Sequence, residues 1–206
     1  HLAEPHIAAK IAAGREHTIR PCVGATYCLD RLYEGREALC IHNPATGREA
    51  TLPHVVRPTE GRKLKTVVVG AGPAGLEAAR VLAERGHAVV GLEAAAEAGG
   101  QIRLAARVAR RRELMGIVDW RLERCAEAGA LWHFNRLAEV DDVLAEAPDL
   151  VVIATGGLPN TGIALGAEHA VSTWDVLAGD VTIGGNVLVY DDNAGHQGLA
   201  AAELIA

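Results

Sequence analysis

Residues 66–85 read TVVVGAGPAGLEAARVLAER, and this stretch decides the fold. Its first four residues form a β-branched run, which predicts a short buried strand. Residues 76–85 carry apolar side chains at helical spacing, and Gly86 follows them as a helix stop. A glycine-rich turn between a strand and a helix predicts the first βα unit of a parallel α/β sheet.

The turn has the spacing Gly-x-Gly-x-x-Gly, at Gly70, Gly72 and Gly75. The first glycine permits a tight turn, the second lets the backbone approach a pyrophosphate, and the third lets the helix pack close to the strand. The helix that opens at Pro73 and Ala74 directs free backbone amides at the phosphates. The turn therefore predicts a Rossmann-like site for the ADP part of a nucleotide. The alternative is a glycine-rich turn in a Rossmann-like fold that binds no nucleotide.

Three further features are expected at the same edge of the sheet. Glu93 ends a second predicted strand, at residues 88–93, at the distance typical of a ribose-binding acid. A carboxylate there accepts hydrogen bonds from the ribose hydroxyls and repels a 2′-phosphate, which favours FAD or NAD over NADP. Two loops that follow strands add four candidate cofactor-binding residues: Gly100, Gln101, Thr155 and Gly156. Taken alone, each of these loops could also be an ordinary connection.

Strands and helices continue to alternate from Lys63 onward. Strands are predicted at residues 131–134, 150–154 and 186–190, and helices at 113–128, 140–147 and 198–206. This order predicts a three-layer α/β sandwich over residues 63–206, with a second, degenerate and truncated dinucleotide fold from about residue 180. The phosphate loop of this second fold has Asn193 in place of its first glycine, after Asp191 and Asp192. We therefore expect it not to bind NADH.

Residues 15–62 show no sustained period and contain Cys22, Cys28 and Cys40. Several thiolates in one irregular loop are typical ligands of soft metal ions or of an iron–sulfur cluster. A zinc site that also uses His42 is a chemically valid alternative, and unrelated loop cysteines are another. Cys125 lies in a helical pattern and is expected in the core. The metal ion or cluster that the cysteines bind would organise this loop. In its absence we expect residues 15–62 to be poorly ordered or draped over the domain.

These motifs together resemble the C-terminal part of the trimethylamine dehydrogenase / 2,4-dienoyl-CoA reductase family, which is old-yellow-enzyme-like. The resemblance covers nearly the whole chain and rests on PCVG at 21–24, Cys28, CIHNP at 40–44, VVGAGPAG at 68–75, GGQ at 99–101 and ATG at 154–156. It implies that residues 1–62 are the tail of an FMN barrel, a cysteine loop for a 4Fe–4S cluster and a linker. The FMN site would then lie upstream of His1.

The resemblance also implies a function. The full-length protein would be a flavoprotein oxidoreductase that oxidises methylated amines, as in a stachydrine or dimethylglycine demethylase, and this region would bind ADP or FAD and relay electrons to an electron-transferring flavoprotein. Cys22, Cys28 and Cys40 match the first, third and fourth cluster positions, whereas the second is Ala25. The alternatives are an NADH-dependent enoate reductase and a structural nucleotide- or zinc-binding module. No catalytic residue is predicted in this chain, and we expect no turnover by it alone.

The composition of the chain bears on which classes of partner it can bind and on its location. The formal net charge of −6 favours neither nucleic acid nor an anionic membrane. No apolar run is long enough to cross a bilayer and no signal-peptide core is apparent, so a cytoplasmic location is expected. The chain starts at His1 without a methionine and stops at Ala206 inside a predicted helix. We therefore expect both ends to be cut from a longer protein.

Overall fold

The computed structural model of the chain describes residues 1–162, 166–191 and 195–206. Its helices are α1 (Ile7–Ala12), α2 (Tyr27–Tyr33), α3 (Pro73–Glu84), α4 (Gln101–Ala105), α5 (Gly116–Glu127), α6 (Val140–Ala145), α7 (Thr173–Ala178) and α8 (His196–Ile205). Its strands are β1 (Lys65–Val69), β2 (Ala88–Leu92), β3 (Leu131–His133) and β4 (Leu150–Ile153). Short 3₁₀ segments lie at Glu16–Thr18, Ala109–Met115 and Ala167–His169.

The four strands form one parallel sheet in the order β3-β2-β1-β4. In the register, Val67 of β1 lies between Val90 of β2 and Val151 of β4. From β1 the chain moves outward through β2 and β3 and then returns to place β4 on the other side of β1. A crevice therefore opens at the carboxyl end of β1, which is where open α/β sheets bind their ligands. The predicted Rossmann-like α/β fold is confirmed.

The main core lies between the sheet and the helices α3 and α5. Val68 and Val89 contribute from the strands, and Ala79 and Ala83 contribute from α3. Alanine at these helix positions lets α3 approach the sheet closely, since a larger side chain would hold the two apart. Cys125 of α5 is fully buried in the same cluster and donates from its sulfur to Leu76 O at 3.5 Å. Its predicted place in the core is confirmed.

The opposite face of the sheet is covered less completely. Val67 at its centre is fully buried. Towards the edges, however, Leu131, Val151 and Ile153 keep 62%, 39% and 77% of their surface exposed. Of the three layers expected from the alternating pattern, the one on this face is thus thin in the described part of the chain.

Two element predictions need correction. The helix expected over residues 113–128 is divided into the 3₁₀ segment Ala109–Met115 and α5, which begins at Gly116 where Pro21 and Val23 pack against the backbone. The strand predicted at residues 186–190 is wrong: these residues are irregular, and Leu188 is 92% exposed. A strand needs a neighbour for its backbone hydrogen bonds, and no other described segment pairs with this one. Helix α8 forms where a helix was predicted.

The segment before β1 is anchored, contrary to the expectation of a poorly ordered or draped loop. It contains the unpredicted helix α2, and His42 and Asn43 are each 1% exposed. Asn43 Nδ2 donates to Leu2 O at 2.9 Å, and Trp120 Nε1 of α5 donates to Thr18 O at 3.1 Å. Side-chain donors thus satisfy backbone carbonyls that lack a sheet or helix partner, which is how an irregular segment can be held in place.

Candidate functional site

Gly70 directly follows β1, beside the end of β4. Its φ is +100°, a value that residues with a side chain rarely adopt. A Cβ at this position would lie 2.4 Å from Ala154 O and 3.2 Å from Thr155 Cα. Only glycine therefore allows the turn to fold back beside the end of β4. This contact brings the loop at Thr155 and Gly156 next to the glycine turn.

Gly75 and Gly72 differ in what surrounds them. A Cβ at Gly75 would lie 1.9 Å from Gly70 O, so α3 packs directly against the turn. A Cβ at Gly72 would meet no described atom within 4 Å. The close approach of α3 to the turn at Gly75 therefore serves the packing of the fold. The open space at Gly72 is what a pyrophosphate needs in order to reach the backbone.

Helix α3 presents its N-terminus to this open space. It begins at Pro73, whose missing amide donor costs nothing at a first helical position. Leu76 N donates to Gly72 O at 2.9 Å, so the amides of Ala74 and Gly75 precede the helical bonding pattern. No side chain of the described residues caps this end. The N-terminus of α3 therefore offers amide donors and a partial positive charge to an anion.

The carboxylate of Glu93 lies beside the glycine turn. Glu93 Oε2 accepts from Ala71 N at 2.5 Å, and Glu93 Oε1 accepts from Ala95 N at 2.8 Å. The Glu93 backbone amide donates to His133 O at 2.9 Å, which ties the end of β2 to β3. The predicted ribose-binding acid is thus held at the intended edge of the sheet. The role of Ala71 was not foreseen, because it acts through its backbone and leaves no side-chain signal in the sequence.

The loop after β2 completes this edge. Gly99 N donates to Ala71 O at 2.8 Å, and a Cβ at Gly100 would lie 3.5 Å from Gly72 Cα. Gln101 Nε2 donates to Gly157 O at 3.3 Å, which links this loop to the one after β4. The structure therefore brings all ten predicted cofactor-binding residues to one place. The open space, the helix N-terminus and the carboxylate fit the ADP part of a nucleotide; nucleotide binding itself remains a prediction.

The cysteine segment does not form a comparable site. Cys22 is exposed, and Cys28 and Cys40 are half-buried. Among residues 1–162, 166–191 and 195–206, no three His, Cys, Asp or Glu side chains are arranged to share a metal ion. Cys125 cannot supply the missing ligand because it is buried between α5 and α3. The residues present therefore do not fit a four-cysteine cluster, and metal binding by Cys22, Cys28 and Cys40 remains a prediction.

The zinc alternative is not preformed either. The His42 ring contacts Pro21 O through Nδ1 at 2.9 Å and packs edge-on against Trp120, with 5.5 Å between ring centroids. Burial and the neighbouring Arg121 lower the pKa of His42 to about 3. The ring is part of the interface between the N-terminal segment and α5, so its described position is that of a packing residue.

The second glycine loop presents a carboxylate to a helix N-terminus. A Cβ at Gly198 would lie 2.9 Å from Asp191 Oδ2, so this carboxylate lies against the first turn of α8. A pyrophosphate would have to occupy the same region. Asp192 and Asn193, which were also expected to disfavour NADH, lie outside the described residues.

Comparison with known proteins agrees with this geometry. The family model of the NAD(P)-binding Rossmann-like domain matches residues 68–134. Along 100% of its length the chain is 55% identical to the probable N-methylproline demethylase of Rhizobium meliloti (strain 1021), of which it covers 30%. It is 47% identical over 98% of its length to the multifunctional alkene reductase/demethylase OYE of Caballeronia cordobensis, of which it covers 29%.

A solved structure is similar as well. Histamine dehydrogenase from Rhizobium sp. 4-9 superposes with a TM-score of 0.88 and 29% identity, over 99% of this chain and 32% of that one. The resemblance to part of the trimethylamine dehydrogenase / 2,4-dienoyl-CoA reductase family is thus confirmed along the whole chain. The chain spans about 30% of the length of the curated relatives it matches. Within the described residues, no helix has the length and apolar character needed to span a bilayer.

Proposed function

We propose that this chain is the nucleotide-binding part of a flavin-dependent oxidoreductase and that it holds the ADP part of ADP or FAD at the glycine turn. The observation that carries this proposal is the position of Glu93 beside Ala71, next to the open space at Gly72. The amides at the start of α3 would bind the pyrophosphate, and Glu93 would accept from the ribose hydroxyls. Bound FAD would supply two-electron redox chemistry, whereas ADP would only stabilise the fold.

For the full-length protein we propose the oxidation of an N-methylated amino acid. The support is the 55% identity to a probable N-methylproline demethylase along the entire chain. In this proposal, FMN and the substrate are bound by a barrel encoded upstream of His1. The role of this chain is then to hold the nucleotide. None of its described residues is assigned a catalytic step.

The electron acceptor in this proposal is a protein, such as an electron-transferring flavoprotein, and not NAD. The support is the Asp191 carboxylate against the first turn of α8. A phosphate at that turn would meet a like charge at short range, which disfavours its binding. The helix N-terminus offers only about half a positive charge in return. The glycine loop before α8 would therefore not hold NADH.

A second candidate function is NADH-dependent reduction of an alkene. The relative from Caballeronia cordobensis is described as both an alkene reductase and a demethylase. The two functions differ in the direction of electron flow, since demethylation reduces the flavin with the amine and alkene reduction consumes a reduced flavin. Spectra of the flavin under anaerobic conditions can therefore distinguish them.

The test uses the full-length protein. Anaerobic addition of N-methylproline or dimethylglycine should bleach the flavin absorbance, and a dye acceptor should then be reduced catalytically. Proline, which lacks the N-methyl group, is the matched control and should do neither. Chromatography of nucleotides released by heat identifies ADP or FAD. Absence of any adenine nucleotide would refute the binding proposal, and failure of every methylated amine to bleach the flavin would refute the demethylase proposal.

A further inference from the structure

A cavity of about 340 Å³ lies on the far side of α3 from the nucleotide site. It is lined mainly by residues 43–45 and 52–57, which follow Cys40, and by side chains of α3. None of the residues proposed to bind nucleotide lines it. Its volume is near the lower end of the range for ligand pockets, so any occupant must be small.

The charged groups of this cavity are mostly cationic. Four arginines line it, namely Arg20, Arg57, Arg80 and Arg85, together with the single carboxylate of Glu77. Glu77 is already paired: its Oε1 lies 2.7 Å from Arg80 and its Oε2 lies 2.8 Å from Arg121. Arg80 has a second partner in Glu84 at 2.8 Å. The nearby carboxylates therefore neutralise Arg80 of α3 and Arg121 of α5. They form no direct ion pair with the other arginines that line the cavity in the described residues.

Arg20 is the buried guanidinium of this cavity that forms no direct ion pair with a described residue, although the charges of Glu77 and Glu4 act on it from farther away. Its side chain is 7% exposed and its guanidinium carbon lies 4.4 Å from the centroid of the Trp120 ring. Arg20 Nε is buried, and none of the described residues accepts a hydrogen bond from it. A buried guanidinium without an acceptor is costly, and stacking on an indole offsets only part of that cost. A planar guanidinium is also the group that binds a carboxylate in two-pronged fashion.

Part of the remaining wall is aliphatic. Val55 and Val56 of the loop and Val81 of α3 contribute to it. Arg57 and Arg85 are exposed and stand at its rim, where they would attract an anion from solution. A wall that combines a buried cation with methyl groups matches a molecule with a carboxylate head and a short hydrocarbon chain.

We propose that this cavity binds a small aliphatic carboxylic acid, with its carboxylate on Arg20 and its hydrocarbon chain against Val56 and Val81. Arg57 assists at the entrance. The bound acid would connect the loop behind the cysteine segment to α3 of the nucleotide domain. The site is separate from the proposed nucleotide site, and its occupation does not depend on the demethylase proposal.

Titration calorimetry on the full-length protein tests this inference, with ADP kept saturating so that the glycine turn is filled. Butyrate should bind saturably at millimolar concentration with one site per chain. Butylamine, which has the same chain and the opposite charge, should not bind. Inorganic phosphate should bind more weakly than butyrate because it lacks the hydrocarbon chain. Absence of saturable butyrate binding, or phosphate binding as tight as butyrate, would overturn the assignment.

Variants locate the site. Arg20→Gln should abolish butyrate binding, but the loss of its contact with Trp120 could also unfold the protein. Val81→Phe fills the cavity and Arg57→Ala removes a rim charge, and each should weaken butyrate binding about tenfold or more, which corresponds to 1.4 kcal/mol. Arg112→Ala removes an exposed arginine that does not line the cavity and serves as the control. Unchanged butyrate affinity in both Val81→Phe and Arg57→Ala would refute the proposed location.

Discussion

Glu93 and Ala71 are joined by a hydrogen bond from the backbone amide of Ala71 to Glu93 Oε2, at a distance of 2.5 Å. The bond connects the end of β2 to the turn that follows β1. Because the same carboxylate also accepts from Ala95 N, it is fixed in position before any ligand arrives. Preorganisation of this kind lowers the entropic cost of binding.

Replacement of Glu93 should therefore affect binding and stability together. In Glu93→Gln, one end of the side chain becomes a donor and faces the amide of Ala71 or Ala95, which cannot accept. We expect the affinity of the full-length protein for ADP to fall about tenfold or more, since a hydrogen bond to a charged group contributes about 1.5–3 kcal/mol. Calorimetry with ADP measures this change. Glu113→Gln, at an exposed position remote from the turn, is the control, and equal affinities in both variants would contradict the assigned role.

The glycine turn offers a matched pair of substitutions. Gly72→Ala places a methyl group where no described atom lies within 4 Å, so the free energy of unfolding should change by less than about 1 kcal/mol. The same methyl group should obstruct the pyrophosphate and abolish ADP binding. Gly75→Ala would place Cβ 1.9 Å from Gly70 O and should destabilise the fold by about 3 kcal/mol or more. Urea unfolding and ADP calorimetry separate the two effects; intact ADP binding by Gly72→Ala would contradict the site.

The iron content of the full-length protein can be predicted from the cysteines of residues 15–62. Because only three cysteines lie in the segment and Ala25 stands at the second cluster position, the full-length wild-type protein should contain far less iron and acid-labile sulfide than a full 4Fe–4S cluster requires. Ala25→Cys completes the four-cysteine pattern and should raise both contents. Ala25→Ser, of similar size, is the control. Full iron and sulfide contents in the wild-type protein would show that three cysteines are enough.

Acid should weaken the fold through His42. Burial, then the charge of Arg121 and that of Arg20, lower the pKa of His42 to about 3, while a hydrogen bond to Pro21 and the charge of Glu77 oppose this shift. Between these two pKa values, the His42 side chain binds a proton in the unfolded chain, where its pKa is near 6.5, and does not bind one in the folded protein. The stabilising effect of neutral His42 is complete above pH 6.5. It decreases by up to about 1.4 kcal/mol per pH unit as the pH falls towards 3.

His42→Asn provides the comparison, because its amide can still donate to Pro21 O and cannot titrate. Urea unfolding across this pH window should give a smaller acid loss for the variant than for the wild-type protein. Carboxylates that titrate in the same window affect both proteins equally and cancel in the difference. Parallel pH profiles for the two proteins would show that His42 is not the group responsible.

The direction of electron flow can be tested with NADH. With Asp191 against the first turn of α8, anaerobic NADH should leave the flavin of the full-length protein oxidised while N-methylproline bleaches it. Asp191→Asn removes the like charge and is expected to allow weak NADH binding. Stopped-flow absorbance measures both reactions. Rapid bleaching of the wild-type flavin by NADH would refute the protein-acceptor proposal.

The sequence predicted the nucleotide domain well because each of its features is local. The run at residues 66–69, the glycine spacing and the acid at Glu93 follow from one strand–turn–helix unit, and local rules place them correctly. The strand at residues 186–190 failed because a strand depends on a neighbour, which sequence pattern alone does not reveal. The anchoring of the N-terminal segment also escaped prediction, since it depends on contacts between distant residues such as Asn43 with Leu2, and Trp120 with Thr18.

The thin covering of the second sheet face has a practical consequence for handling the chain by itself. Leu131, Val151 and Ile153 form parts of an apolar β-surface that water solvates poorly. Among the residues that the structure describes, no strand pairs with the outer edge of β4, which adds unpaired backbone groups next to two of these side chains. A solution of the isolated chain should therefore self-associate as its concentration rises, and its light scattering should increase before any secondary structure is lost.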